Sequence, residues 1–256
     1  IGSYTYTWAV GVPGHTPLTP LSALGLCQRA VELGVRVVQF ADNLPLTRLP
    51  TPELDALAAF AAEHQLVVEL GTRGIHGGDL EGHLALARRF QCPFVRLVLD
   101  EPGREPSVEQ AIAQLRPWAD RYAGSGVRIA IENHDRFPAS SLVHIVETLG
   151  PARVGITLDT VNSFGALEGP AVVVPTLGPY TLNLHLKDFA VRRVPSQMGF
   201  VVEGCPAGEG RLDVPWLLRE LTRVNPSASR LHAILELWTP PAPTLDQTLA
   251  TEDAWA

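Results

Sequence analysis

The chain lacks an excess of positive charge. Its 256 residues carry 20 Lys and Arg against 27 Asp and Glu, a formal net charge of −7. A nucleic-acid surface normally needs a basic stripe, so no nucleic-acid partner is expected. Cysteine is also scarce. Cys27, Cys92 and Cys205 are odd in number, far apart and form no Cys-x-x-Cys pair. That speaks against a disulfide framework and a thiolate zinc site, and makes a reducing cytoplasm the expected location. No apolar run reaches the roughly 20 residues that cross a bilayer, and no signal-peptide pattern is visible, so no membrane partner is expected. No Gly-rich phosphate turn follows an early strand, which argues against an open doubly wound sheet.

What is present is a βα rhythm. The chain is 46% hydrophobic and 18% charged, enough apolar material for a substantial core in one domain spanning residues 1–256. Strands are predicted over Ser3–Trp8, Val35–Phe40, Leu66–Leu70 and Phe94–Leu99, and from Val127, Val154, Thr181 and about Leu231. Helical segments open at Thr19-Pro20, Thr51-Pro52, Asp79, Ser107, Ser140 or Ser141, and Asp213, with a last short helix from about Leu245. Pro117 predicts a kink or break in its helix. Residues 167–177 are expected to be helical through packing despite poor propensity. Eight strands alternating with helices at a spacing of about 30 residues imply an α/β fold, a (β/α)8 barrel.

Four of these strands end alike. Thr181-Leu-Asn-Leu-His-Leu-Lys-Asp188 alternates apolar and polar residues, and its polar face carries His185 and Lys187. Val127–Glu132, Val154–Asp159 and Leu231–Glu236 each finish on a carboxylate that shares its face with small or polar residues. Glu132, Asp159, His185 and Glu236 thus supply three carboxylates and one imidazole, a hard donor set suited to Mn²⁺ or Mg²⁺, with Co²⁺ or Zn²⁺ as alternatives. The competing reading is that some of these acids pair with Arg96 or Lys187. A divalent ion can chelate a carbonyl and an adjacent hydroxyl and stabilise an enediolate. Glu132 and Glu236 could then exchange a proton with the substrate carbon, while Lys187 holds an oxyanion or an acidic group.

Ile131-Glu-Asn133, Leu158-Asp-Thr160, His185-Leu-Lys-Asp188, Gly208-Glu-Gly210 and Leu235-Glu236 resemble the xylose-isomerase-like TIM-barrel superfamily of sugar phosphate isomerases and epimerases, over nearly the whole chain. The resemblance implies that the metal ligands are Glu132, Asp159, His185 and Glu236, with Lys187 and Glu209 as helpers. Many members carry His three residues after the strand-six Asp, where this chain has Asn162. An abasic-site endonuclease activity would need further His ligands. His134 and His76 are near, but the third strand is followed by Gly71 and Thr72.

The first expectation is therefore a metal-dependent isomerase or epimerase of a small ketose, polyol or sugar acid. The alternative is a lyase, a decarboxylase or dehydratase, acting on a keto sugar acid; an endonuclease-like hydrolase is remote. A homo-oligomer is compatible with either. Trp8 at the end of the first strand, with Tyr4 and Tyr6 in phase, is expected to stack on a sugar. Glu69 is expected to end its strand facing inward and bind a hydroxyl or orient a ligand, with Gln39 a similar case. Asn162, Arg192 and Glu209 complete the expected substrate contacts. The long stretch 187–212 is read as a lid or substrate-contact loop, whose Arg192, Arg193 and Arg211 could hold a carboxylate.

Overall fold

A computed structural model describes residues 1–75, 79–195 and 198–256. In chain order the elements are α1 (Thr7–Val10), α2 (Ala23–Glu32), β1 (Val37–Phe40), α3 (Thr51–Glu63), β2 (Val67–Arg73), α4 (Asp79–Arg89), β3 (Phe94–Val98), α5 (Val108–Ala123), β4 (Arg128–Glu132), α6 (Ala139–Leu149), β5 (Val154–Asp159), α7 (Pro170–Leu177), β6 (Thr181–Leu186), β7 (Asp188–Arg193), β8 (Phe200–Cys205), α8 (Val214–Val224), β9 (His232–Leu235) and α9 (Leu245–Trp255).

Seven strands form a parallel sheet in the order β1-β2-β3-β4-β5-β6-β9, and β7 with β8 makes a separate antiparallel hairpin. The sheet curls into a nearly closed barrel. Between its two edges lie residues 1–3, where Gly2 bridges to Gln39 in parallel and the Ser3 amide donates to the Gln39 carbonyl at 2.8 Å. On the other side the Leu237 amide donates to the Tyr4 carbonyl at 3.1 Å. This short stave takes the eighth position.

The predicted first strand, Ser3–Trp8, is therefore corrected. Its hydroxyls compete with a ladder. The Gly2 amide donates to Thr5 Oγ1 at 2.8 Å, and Thr7 Oγ1 donates to the Tyr4 carbonyl at 3.2 Å. The chain turns there and enters one helical turn at Thr7.

The outward face of β5 is aliphatic and fully buried under a helix. Val154, Ile156 and Leu158 of β5 meet the stripe Leu142, Ile145, Val146 and Leu149 of α6. Helix starts follow local chemistry. Ser22, Asp213 and Thr244 accept backbone N–H groups at the heads of α2, α8 and α9, and Ser107 with Gln110 forms a capping box on α5. The break expected at Pro117 does not occur, because Pro117 lies on the exposed side of α5 and water can satisfy the carbonyl it leaves free. The helix expected over residues 167–177 is shorter, with Pro170 in its first turn. No helix among the described residues is long and apolar enough to cross a membrane.

Candidate active site

Inward-facing polar residues stack along the barrel axis. Near the C-terminal ends of the strands the ligand atoms of Glu132, Asp159 and His185 lie within 4.8 Å of one another, and all three side chains are fully buried. In-register pairing of β5 with β6 sets Asp159 beside His185. Glu236, just past β9, reaches the same point: its Oε1 lies 3.0 Å from His185 Nδ1.

Asp159 and Glu132 are held from behind. Asn133 locks the end of β5, accepting from the Asp159 amide at 2.7 Å and donating to the Asp159 carbonyl at 2.9 Å. Asp159 Oδ1 accepts the amides of Val161 and Asn162 at 2.8 and 2.9 Å, which turns Oδ2 toward the axis. Arg96 pairs with Glu132 and also donates to Asp42 at 2.8 Å. Gly71 makes this possible, since a Cβ there would lie 3.0 Å from Arg96 Cδ. Asn162 donates to Glu132 Oε1 at 2.6 Å.

Lys187 stands above this cluster. Its Nζ lies 2.8 Å from Asp159 Oδ2 and 2.9 Å from Glu236 Oε2, and it donates to Asn162 Oδ1 at 3.2 Å. The acids converge as expected, and they also pair with Arg96 and Lys187, the competing arrangement weighed from the sequence.

The electrostatics follow from this crowding. Burial alone would raise the Glu132 carboxyl, but Arg96 and then His185 hold it well below the usual carboxylate range. Asp159 is pushed up by burial, and the attraction of Lys187 does not fully offset that. Burial would lower His185, but Glu236 and Glu132 raise it. Burial would lower Lys187 too, yet Asp159 and Glu236 raise it far enough to keep it an ammonium.

The donor set fits a divalent cation. Asp159 Oδ2 and His185 Nδ1 are buried and face the convergence point, where the Glu132 and Glu236 carboxylates also arrive and the Lys187 ammonium pairs with Asp159. Buried carboxylates gathered this closely need positive charge, and three of them with an imidazole are a donor set a divalent cation would accept. Glu132, Asp159, His185 and Glu236 would hold it as carboxylate and imidazole ligands.

A cavity of about 670 Å³ opens above Lys187, within the usual size for small-molecule sites. Lys187, Asn162 and Glu236 form its floor, and Tyr4, Trp8, Phe164 and Trp238 give it apolar walls. The hairpin β7–β8 contributes Val202, Glu203 and Gly204. The expected substrate-contact loop 187–212 is thus largely an ordered wall. Asp188 anchors it, accepting the amides of Gly208, Gly210 and Leu212 at 2.9, 3.0 and 3.0 Å.

Several expected contacts lie elsewhere. Arg192 is exposed on β7, is not among the residues that line the cavity, and is bound in a fork to Glu203 at 2.7 and 2.9 Å. Arg193 stacks over Phe200. Glu209 is exposed in the turn after β8, whose backbone, not its side chain, serves Asp188. Glu69 does not end its strand, since β2 runs on to Arg73, and it sits fully buried below the ligand cluster. Trp8 does line the cavity, but from α1, with its Nε1 donating to the Thr239 carbonyl at 3.0 Å and its amide held by Glu252 at 2.8 Å. Tyr6 turns away toward Arg29. His134 contacts Arg73, 3.1 Å away, and lies outside the cluster; His76 lies outside the described residues. Trp238 could have been found from its place two residues past Glu236 in the same phase. Glu203 and Asp135, also lining the cavity, carry no comparable signal.

The chain is similar in sequence to one known protein and in fold to several others. A 3-oxo-isoapionate decarboxylase of Pectobacterium atrosepticum is 29% identical over 100% of this chain and 91% of its own length. Among solved structures, the probable 3-DHS dehydratase AsbF of Bacillus anthracis, involved in petrobactin synthesis, superposes with a TM-score of 0.69 at 13% identity, covering 99% of this chain and 97% of its own. A xylose isomerase-like TIM barrel protein of Mycobacterium smegmatis in complex with magnesium gives a TM-score of 0.67 at 14% identity, covering 91% of this chain and 86% of its own. With the family model matching residues 27–254, this chain belongs to the xylose isomerase-like TIM barrel family.

Proposed function

We propose that the chain is a divalent-metal-dependent lyase that decarboxylates a small 3-oxo sugar acid. The observation that carries this reading is the capture of Glu132. One of its oxygens is paired to Arg96 and the other accepts from Asn162, and against the upward pull of burial Arg96 and then His185 hold its carboxyl well below the usual range. It is a poor base. Epimerisation wants two competent bases flanking a carbon, whereas loss of carbon dioxide wants an electron sink and no base. The full-length similarity to a decarboxylase points the same way.

A bound divalent ion would supply Lewis-acid polarisation of the ketone oxygen. Lys187, kept as an ammonium at the cavity floor, supports negative charge growing on a substrate oxygen. Among the described residues it is the one cation lining the cavity. Trp8 and Trp238 present apolar faces to the carbon skeleton, and Asn162 is within reach of a hydroxyl. In the reaction, the bond from the α-carbon to the carboxylate breaks and its electron pair moves into the ketone as an enolate. Carbon dioxide leaves, and the α-carbon takes one proton from solvent.

The isomerase or epimerase reading keeps one observation in its favour. Glu236 faces the cavity on the side of the cluster served by Lys187 and is free of an arginine partner. Turnover of 3-oxo sugar acids and ketoses in deuterated water, followed by NMR, separates the two. Released carbon dioxide with one deuteron on the shortened product supports the decarboxylase. Deuterium incorporation at constant carbon count supports the isomerase and overturns our reading.

A further inference from the structure

Below the ligand cluster lies a second buried polar layer. Gln39 of β1 and Glu69 of β2 are paired in register, as are Asn183 of β6 and His232 of β9. Gln39, Glu69 and Asn183 are fully buried. Glu69 Oε2 accepts from Gln39 Nε2 and from Asn183 Nδ2, each at 3.1 Å, and Glu69 Oε1 lies 2.7 Å from His232 Nδ1. Gln39 Oε1 then lies 2.7 Å from His185 Nε2.

A carboxylate can only accept, so Glu69 dictates every orientation in this layer. It draws the Gln39 amide nitrogen to itself, and Asn183 Oδ1 accepts from the same nitrogen at 3.1 Å. The Gln39 oxygen is thereby fixed toward His185. An acceptor there requires a hydrogen on Nε2. The lone pair of the neutral ring must then be on Nδ1, the atom that faces Glu132 and Glu236.

We infer that Glu69, acting through Gln39, is a positioning residue that selects the metal-binding tautomer of His185. The inference rests on reading Glu132, Asp159, His185 and Glu236 as a metal centre. Tautomer control of this kind orients histidine ligands, and its loss typically costs about 10- to 100-fold in metal affinity. The Gln39–Glu69 pair makes the control indirect, because an amide could face His185 either way and the carboxylate decides which.

The test uses Glu69→Gln, which keeps shape and volume, and the double variant Gln39→Glu/Glu69→Gln, which restores a fixed acceptor beside His185 at the original net charge. Tautomers are read by ¹⁵N-histidine NMR on metal-free protein at pH 9, and Mn²⁺ affinity by calorimetry. We expect His185 Nε2, the atom facing the Gln39 oxygen, to carry a hydrogen in the wild type. Glu69→Gln should shift it toward Nδ1 and weaken Mn²⁺ binding by about 10- to 100-fold, with the double variant recovering both. A wild-type Nε2 without a hydrogen, or a Glu69→Gln protein with Nε2 protonated as in the wild type, overturns the inference. If the tautomer responds as expected while the wild type binds no metal, the relay stands and the metal reading fails.

Discussion

Lys187 holds the position a metal ion would compete for. Its ammonium touches Asp159 and Glu236, two of the four ligand candidates, and lies between them and the cavity. Lys187→Gln should therefore raise Mn²⁺ affinity by about tenfold, by removing a positive charge from the site. It should also lower kcat by about 100-fold or more through loss of charge stabilisation. Calorimetry and steady-state kinetics on one preparation check both, and a fall in affinity would contradict the assignment. Asn133 is a different case, buried and bonded to both backbone polar groups of Asp159 and to Ser163. Asn133→Ala leaves those groups unpaired and should cost about 2–4 kcal/mol in urea unfolding. The four ligand candidates were legible in the sequence because a period of two marks which side chains face inward. Depth was not. Glu69 and Glu132 share the inward phase, but β4 stops at Glu132 while β2 continues past Glu69 to Arg73. Nor does inward phase reveal a partner, which is why Arg192 read as a substrate anchor although Glu203 holds it.

At the level of elements, the hairpin β7–β8 is the part of the molecule whose purpose is clearest from its attachment. Asp188 ties it to the turn at Gly208–Leu212, and Gly204 lies against the backbone of Trp238, where a Cβ would come 2.0 Å from the Trp238 carbonyl oxygen. Gly204→Ala must push the hairpin away from the cavity wall. We expect KM to rise about tenfold or more with a smaller change in kcat, because the wall contacts substrate without belonging to the reacting groups. Kinetics with the identified substrate measure this, and an unchanged KM would detach the hairpin from substrate binding. The helices α5 and α8 could be read from their caps at Ser107 and Asp213 and most strands from apolar periodicity, whereas α2 is capped by Ser22 and not by the expected Thr19. The hairpin could not, because Gly and Pro between residues 187 and 212 mask its alternation. The first stave failed for the opposite reason: Ser3-Tyr-Thr-Tyr-Thr-Trp8 alternates like a strand, but its hydroxyls bond to the local backbone and turn the chain.

For the molecule as a whole, the buried ion pairs couple stability to pH. Burial would raise the Asp42 carboxyl, but Arg96 and then Arg73 hold it below its usual value, and Glu132 is depressed further. A carboxyl with a depressed folded-state value stabilises the fold above its unfolded value, near pH 4, and that contribution is lost as pH falls through the folded value. Asp159, pushed up by burial, acts in the opposite sense and offsets part of this. Urea unfolding should show stability falling below about pH 4, with a shallower fall in Asp42→Asn. Metal adds a second linkage. At a free Mn²⁺ concentration 100 times its Kd, stability should rise by about 2.7 kcal/mol, and chelation should reverse it. The most direct test is anomalous diffraction at the manganese edge from crystals grown with Mn²⁺. The account predicts one strong peak on the barrel axis at about 2.0–2.4 Å from carboxylate oxygens of Glu132, Asp159 and Glu236 and from His185 Nδ1. A peak elsewhere, or none, with Lys187 still bridging Asp159 and Glu236, would contradict it.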